Sequence, residues 1–182
     1  MRTKEFLGRR AVVTGGAQGI GAAVAQRLLD GGARVVVAAR QKTPGTPGEA
    51  TFVDGDMVSP DGVEATAGQA LEVLGGCDIL VNAGVVEARP EDDSIDVGFL
   101  SAVRMTAALM PALRRSGSAA IVNVSSAGLD ASTGPEAALN TYTRSLAEEL
   151  APQGIKVTLV ESTQASSEVA ELVAMVASDR SP

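Results

Sequence analysis

Thr14-Gly15-Gly16-Ala17-Gln18-Gly19-Ile20-Gly21 directly follows the apolar run Ala11-Val12-Val13. An apolar strand that breaks into a glycine-rich turn and continues as a helix is built to hold a phosphate. Gly15 permits a tight turn that a Cβ would obstruct. Gly19 lets the backbone come close to a pyrophosphate, and Gly21 lets the new helix pack against the strand. The helix start offers unpaired N–H groups and the positive end of its dipole. The stretch therefore predicts a dinucleotide site that includes Thr14, Gly15, Gln18, Gly19, Ile20 and Gly21.

Outward from this turn, strand-like runs alternate with helix-like segments. Strands are expected near 10–14, 34–39, 51–53, 77–82, 118–124 and 155–160. They are rich in Val and Ile and lack in/out alternation, as befits strands buried on both faces. Helices are expected near 19–30, 60–74, 97–115, 136–151 and 166–177. The first of these ends at Gly31-Gly32, a candidate C-cap. Such an order implies α/β architecture: a three-layer α/β/α Rossmann-like sandwich with about six parallel strands. The TPGTPGE stretch (Thr43–Glu49) reads as a Pro/Gly loop. No linker is long enough to divide the chain, so residues 1–182 are expected to form one domain.

Composition narrows the chemistry. The chain has 182 residues, 45% hydrophobic and 20% charged, enough to bury a core. With aromatics at 2% and no Trp, Ala and Val must fill most of it. A net charge of −7 and a pI near 4.6 argue against nucleic acid or an anionic membrane as partner. The single cysteine, Cys77, excludes an intrachain disulfide and fits a reducing compartment. It reads as an inert core thiol. The absence of His removes the usual general base and metal ligand, so Ser-His-Asp and zinc mechanisms are excluded and no metal site is expected. MRTKEFLGRR has no apolar targeting segment, and no apolar run reaches a membrane span. A cytoplasmic location is the expectation.

Several motifs in order resemble the short-chain dehydrogenase/reductase family. T-G-x-x-x-G-x-G is met by Thr14, Gly15, Gly19 and Gly21. VNAG (Val81–Gly84) resembles a strand-end motif, and IVNVSS (Ile121–Ser126) the strand that carries the family's serine. LNTYTRSLAEELAPQGIKV (Leu139–Val157) resembles a helix and its following strand, and VAELVAMVASDRSP resembles the late helix. The likeness covers nearly the whole length. It implies NAD(P)-dependent oxidoreduction of a small carbonyl/alcohol pair, and a homodimer formed through the helices near 97–115 and 136–151. It implies a Ser, a Tyr that acts as acid/base, a Lys that lowers the Tyr pKa, and a supporting Asn.

Ser126 matches the family's catalytic serine. Arg40 follows the second strand, with Ala39 where NAD-specific enzymes carry an acid. An Arg there can pair with a 2′-phosphate, and Lys42 lies nearby, so NADP (NADPH) is expected over NAD. Asp56, with Met57 beside it, resembles the family aspartate that contacts the adenine amino group. Asp56 could equally form a local Asx-turn. Asn82, Ala83 and Gly84 are expected beside the nucleotide, although Asn82 could instead tie neighbouring strands together.

The chain also departs from the family. About thirteen residues past the serine, Y-x-x-x-K should place two side chains on one helical face. Alignment on the helix puts Ser132 and Glu136 there. Alignment on Ser126 and Gly128 puts Ala138 and Tyr142 there. Tyr142, the only tyrosine, lies roughly 15 Å along the helix from position 132, too far for the same carbonyl. With Leu139, Leu146 and Leu150 it reads as a core or dimer stripe. Gly98 stands at the Asn position, and Glu161-Ser162-Thr163 replaces the family's Pro-Gly. The loops after Gly84, Ser126 and Thr163 are short for the family, and its last strand is missing before Pro182. Glu91, Asp92 and Asp93 read as a solvated loop, and Lys156 has no evident partner. Two readings follow: a trimmed NADP(H)-preferring oxidoreductase with impaired catalysis, or a non-catalytic NADP-binding pseudoenzyme, sensor or minimised scaffold.

Overall fold

Short runs of Val, Ile and Ala, each too apolar to face water, assemble into one sheet. The computed structural model describes residues 4–83, 96–126, 134–162 and 165–178. In chain order the elements are β1 (Arg10–Thr14), α1 (Gly19–Asp30), β2 (Arg34–Ala39), β3 (Thr51–Asp54), α2 (Pro60–Leu74) and β4 (Ile79–Asn82). A π-helical turn (Asp96–Leu100), α3 (Ser101–Ser116), β5 (Ala120–Ser126), α4 (Gly134–Leu150), β6 (Lys156–Ser162) and α5 (Ser166–Ala177) follow. The sheet order is β3-β2-β1-β4-β5-β6, and every pairing is parallel. The chain winds outward from β1 to β3 and then crosses to β4. The topological switch point therefore lies between β1 and β4, where open α/β sheets bind ligands.

Side-chain direction alternates within these runs even though polarity does not. Ala11 and Val13 pack with Val24 and Leu28 of α1 and Val169 and Val173 of α5. Val12, between them, packs with Val63 of α2, Met105 and Leu109 of α3, and Leu150 of α4. This is the three-layer α/β/α sandwich, with two helices on one face and three on the other. Ala, Val, Leu and Ile fill most of both layers. Phe6 is an aromatic exception: fully buried, it occupies the place a Cβ on Gly31 would need.

The differences from the expected boundaries have local causes. β3 and β6 lie at the sheet edges and are only partly buried, unlike β1, β2 and β4. β4 begins at Ile79, because Cys77 and Asp78 belong to the turn that precedes it. The segment near 97–115 divides into the π-turn and α3. α4 gives way at Ala151 to a short 3-10 turn. At the end of α1, Gly31 is right-handed and Gly32 carries the positive φ of 93°. No seventh strand occurs among the described residues.

One ion pair holds the N-terminal edge of the sheet. Asp78 accepts from the Arg10 amide at 2.8 Å, from Arg10 Nε and Nη2 at 2.9 Å, and from the Ser116 hydroxyl at 2.7 Å. Burial alone would raise the Asp78 pKa, but the Arg10 and Ser116 bonds outweigh it and bring the carboxyl down to about 2. A folded pKa below the ordinary 3.8 means stabilisation that is present above pH 4 and lost as pH falls toward 2. Asp78→Asn should therefore unfold at lower urea at pH 7. The loss should be on the order of 1–2 kcal/mol after allowance for solvent screening at the partly exposed Arg10. The gap from wild type should narrow below pH 4 and close only as pH approaches 2. An equal gap at pH 7 and pH 2.5 would refute the electrostatic account.

Candidate functional site

The turn between β1 and α1 is shaped by backbone packing. Gly15 and Gly19 have φ of 65° and 54°, in the left-handed region that disfavours a Cβ. A Cβ on Gly21 would overlap the Gly15 carbonyl oxygen and stand 2.6 Å from its carbon. Gly21 thus packs on the turn itself, a closer contact than the strand packing expected of it. Gly16, which sequence reasoning passed over, is pressed against β2: a Cβ there would lie 3.0 Å from both Val37 methyls. A Cβ on Gly19, by contrast, would point into open space.

The turn is tied to both neighbouring strands. The Gly15 N–H donates to the Ala38 carbonyl of β2 at 2.9 Å. Buried Thr14 accepts the Ala83 N–H on its hydroxyl at 3.2 Å, joining the turn to the end of β4. Gln18 is exposed and supplies no side-chain cap to α1, and the first turn of α1 has no acidic residue. The dipole end is therefore open and not neutralised by a carboxylate of that turn. Ile20 is half-buried against the α1/α5 layer.

Arg40 is half-buried just past Ala39, which is buried, and Lys42 is exposed. Asp56 forms the local turn: Oδ1 accepts the Val58 N–H at 2.8 Å, and Oδ2 accepts the Ser59 hydroxyl at 2.5 Å. The Ser59 hydroxyl is the main reason its carboxyl lies below the usual range, with the Val58 and Ser59 amides and the Arg40 charge adding to it. Ser59 in turn caps α2 by accepting the Gly62 N–H at 3.1 Å. Met57 is half-buried against the α2/α3 layer.

From the C-terminal end of β4 a buried polar chain runs through the middle of β5. Asn82 Nδ2 donates to Asn123 Oδ1 at 2.8 Å and to Thr106 Oγ1 at 3.3 Å. Asn123 Nδ2 donates to Thr143 Oγ1 at 2.9 Å, and Thr143 donates to the Leu139 carbonyl at 2.6 Å. Asn82 thus ties β4 to β5 and α3. Its Oδ1 is buried without a partner among the described residues, and such an orphan costs about 1–3 kcal/mol. Thr106, Asn123 and Thr143 were not foreseen. The available signal was an Asn inside the otherwise apolar strand 120–124.

Ser126 ends β5, its backbone in register with Ser162 of β6. Gly84, Ser132, Thr163 and the acids Glu91, Asp92 and Asp93 lie outside the described residues. Glu136 stands in the first turn of α4. Gly98 is buried inside the π-helical turn that leads into α3, and such turns often mark functional sites. Tyr142 packs edge-on against Phe99, with ring centroids 5.8 Å apart. Burial raises its pKa, and a hydrogen bond with Thr106 partly offsets this. Leu139, Leu146 and Leu150 are buried in the chain's own core, as are Met105, Leu109 and Leu113 of α3. Those stripes are consumed internally, so they do not by themselves call for a dimer.

Two minor readings are also resolved. Burial pushes the Cys77 thiol up to about 12, consistent with an unreactive core residue. Lys156 has a partner after all: its Nζ donates to the Ser178 carbonyl at 3.0 Å. Among the described residues, no His/Cys/Asp/Glu group is arranged to hold a metal. No helix there is long and apolar enough to cross a membrane.

A family model described as short chain dehydrogenase matches residues 9–174. The short-chain reductase protein NovJ of Streptomyces niveus is 33% identical over 82% of this chain and 66% of its own. Dehydrogenase/reductase SDR family member 4 of Sus scrofa is 32% identical over 86% of this chain and 65% of its own. The chain thus spans about two thirds of the length of these curated relatives. A crystal structure of a metagenomic short-chain oxidoreductase in complex with NADP superposes with a TM-score of 0.83 at 30% identity. That match covers 97% of this chain and 93% of the other. A short chain dehydrogenase from Burkholderia cenocepacia, also in complex with NADP, gives 0.80 at 28% identity, covering 96% and 92%.

The glycine geometry sets an order of sensitivity. Gly21→Ala drives a Cβ into backbone that cannot swing aside and should cost more than about 3 kcal/mol. Gly19→Ala meets open space and should cost only the left-handed penalty, about 1–2 kcal/mol. Urea unfolding of the two variants compares them directly. Equal losses would mean that the turn does not pack as described.

Proposed function

The chain belongs to the short-chain dehydrogenase/reductase family, and from that premise we propose that it binds NADP(H) in preference to NAD(H). The nucleotide would lie across the C-terminal edge of the sheet, on Thr14, Gly15, Gln18, Gly19, Ile20 and Gly21. The observation that carries this reading is the uncapped, acid-free start of α1 beside an unobstructed Gly19. An anion there would meet backbone donors and the positive dipole end. Arg40 would pair with the 2′-phosphate, and Asp56, Met57, Asn82, Ala83 and Gly84 would border the adenosine and nicotinamide halves. The NADP complexes of both structural neighbours support this choice.

When bound, a nicotinamide dinucleotide supplies or accepts hydride. The chain's own part would be to orient a small carbonyl or alcohol substrate at Ser126 and to manage a proton. Here the residues are thin. The helix alignment offers Ser132 and Glu136 in place of Tyr and Lys, and Gly98 in place of Asn. Loss of a positioned acid/base group costs about 10²–10⁴-fold in rate. Impaired oxidoreduction is therefore our first reading. A non-catalytic NADP-binding protein is the second, favoured by the carboxylate of Glu136 where the family has an ammonium. The family likeness supports a homodimer, and the single cysteine supports a reducing, cytoplasmic location.

Titration with NADPH and NADH, followed by nicotinamide fluorescence, tests the binding claim. NADPH should bind more tightly. Arg40→Ala should weaken NADPH about tenfold, the loss of one charge-assisted phosphate contact, while NADH stays within about twofold. No binding of either dinucleotide would sink the proposal. Turnover separates the two readings: Ser132→Tyr combined with Glu136→Lys should raise ketone reduction above wild type if the scaffold is a disabled enzyme. An unchanged rate despite NADPH binding would favour the non-catalytic one.

A further inference from the structure

The loop after β2 does more than return the chain to β3, because it grips the nucleotide turn. Thr43 Oγ1 donates to the Ala17 carbonyl oxygen at 2.5 Å, and Thr46 Oγ1 donates to the same oxygen at 3.4 Å. Two hydroxyls thus share one acceptor, which engages both of its lone pairs. The loop's own backbone orients them first. Thr43 Oγ1 accepts the Gly45 N–H at 3.1 Å, and Thr46 Oγ1 accepts the Thr43 N–H at 3.0 Å. Ala17 and Thr46 are buried at 2% and 9% exposure and Thr43 is half-buried, so water is largely kept from the Thr46 bond and partly from the Thr43 bond. Gly45 seats the loop closely: a Cβ there would stand 3.3 Å from the Ala17 oxygen and 3.7 Å from Gln18 Cα.

A trans peptide is planar, with its C=O and N–H on opposite sides. A carbonyl of Ala17 fixed toward the loop therefore turns the Gln18 N–H away from it. Gln18 is the N-cap of α1, and its carbonyl accepts the Ala22 N–H at 3.0 Å, the first bond of that helix. The peptide that leads into the first turn is thus held by two threonines more than twenty residues along the chain.

We propose that Thr43 and Thr46 are positioning residues for dinucleotide binding. They set the Ala17–Gln18 peptide before the anion arrives, so binding does not have to order it. The proposal rests on the reading of Thr14–Gly21 as the cofactor turn. It also separates two tasks that the loop region performs. Arg40 acts on the 2′-phosphate and so on the choice between cofactors. The threonine clamp acts on the amides facing the pyrophosphate, which both cofactors share.

The test uses Thr43→Val, Thr43→Ser and Thr46→Val in the full chain. Thr43→Val should weaken NADPH and NADH together, by about tenfold, with their ratio held within about twofold. Thr43→Ser keeps the hydroxyl and should bind both as wild type does. Thr46→Val, at the longer bond, should weaken both by a smaller factor and serves if Thr43→Val does not fold. In cofactor-free protein, hydrogen exchange at the Ala22 N–H should quicken about tenfold in Thr43→Val and not in Thr43→Ser, while the amides of β4 and β5 keep their protection. Faster exchange with unchanged affinities would make the clamp merely structural and overturn the proposal. So would a change in NADPH affinity alone. If wild type binds neither dinucleotide, the cofactor reading falls and the positioning role falls with it. If wild type binds and Thr43→Val binds equally well, only the positioning role fails.

Discussion

The backbone of Gly21 rests on the carbonyl of Gly15, and the packing of the molecule follows from that contact. Both partners are main chain, so neither can turn aside to admit a side chain. The contact fixes how α1 leaves β1. From that departure Val24, Ala25 and Leu28 reach the face of β1 and β2, and α5 then closes the same layer with Val169 and Val173. Each fully buried Val or Leu in such a layer contributes about 1.5–3 kcal/mol relative to exposure. The layer therefore stabilises a turn whose two left-handed glycines would be costly to hold in isolation.

The two ends of the sheet are secured by different chemistry. At the N-terminal end a carboxylate accepts four bonds from Arg10 and Ser116, charge against charge. At the C-terminal end the ties are neutral, with Asn82, Asn123, Thr106 and Thr143 bonded in a chain. The difference matters electrostatically. The neutral ties join β4 and β5 to their helices without putting a fixed charge beside the glycine turn. The helix dipole and Arg40 can then act on an anion there without competition from those ties. The Asp56 carboxylate is engaged by Ser59 and Val58, which satisfies part of its charge locally.

Sequence reading recovered what depends on local pattern. The turn at Gly15–Gly21, the apolar runs of β1, β2 and β4, and the helical spans of α1, α2 and α5 carry their signals within a few residues. The three-layer sandwich follows from their alternation. What escaped depends on contacts between distant positions. Thr43 and Thr46 lie 26 and 29 residues from the carbonyl they hold, inside a stretch that reads only as a Pro/Gly loop. Asn123 and Asn82 are 41 residues apart. Lys156 finds a backbone carbonyl 22 residues on, which no side-chain pattern announces. Gly31-Gly32 was legible as the C-cap of α1, where Gly32 supplies the left-handed residue at φ 93°; that Gly31 is also needed to admit the Phe6 ring was not legible. In the turn, Gly15 was legible because its left-handed backbone demands a glycine, whereas the hydroxyl tie from Thr14 to β4 was not. The role of Asp56 stayed open, since an Asx-turn and a ligand contact use the same residue type.

On the reading proposed above, that contrast also explains how such a chain could hold a cofactor turn without the family's acid/base set. A glycine turn works through φ angles, close backbone approach and the start of a helix, all of which packing maintains. Proton transfer works through individual side chains at the ends of β5 and α4, and packing does not protect these. The turn into α3 illustrates the point. Its π-helical backbone encloses buried Gly98, where the proposed alignment would put the family's Asn. On the reading proposed above, binding and chemistry are thus separable in this fold. Binding resides in β1, α1 and the loop that clamps them, whereas chemistry depends on a few positions around β5 and α4 that the core does not need.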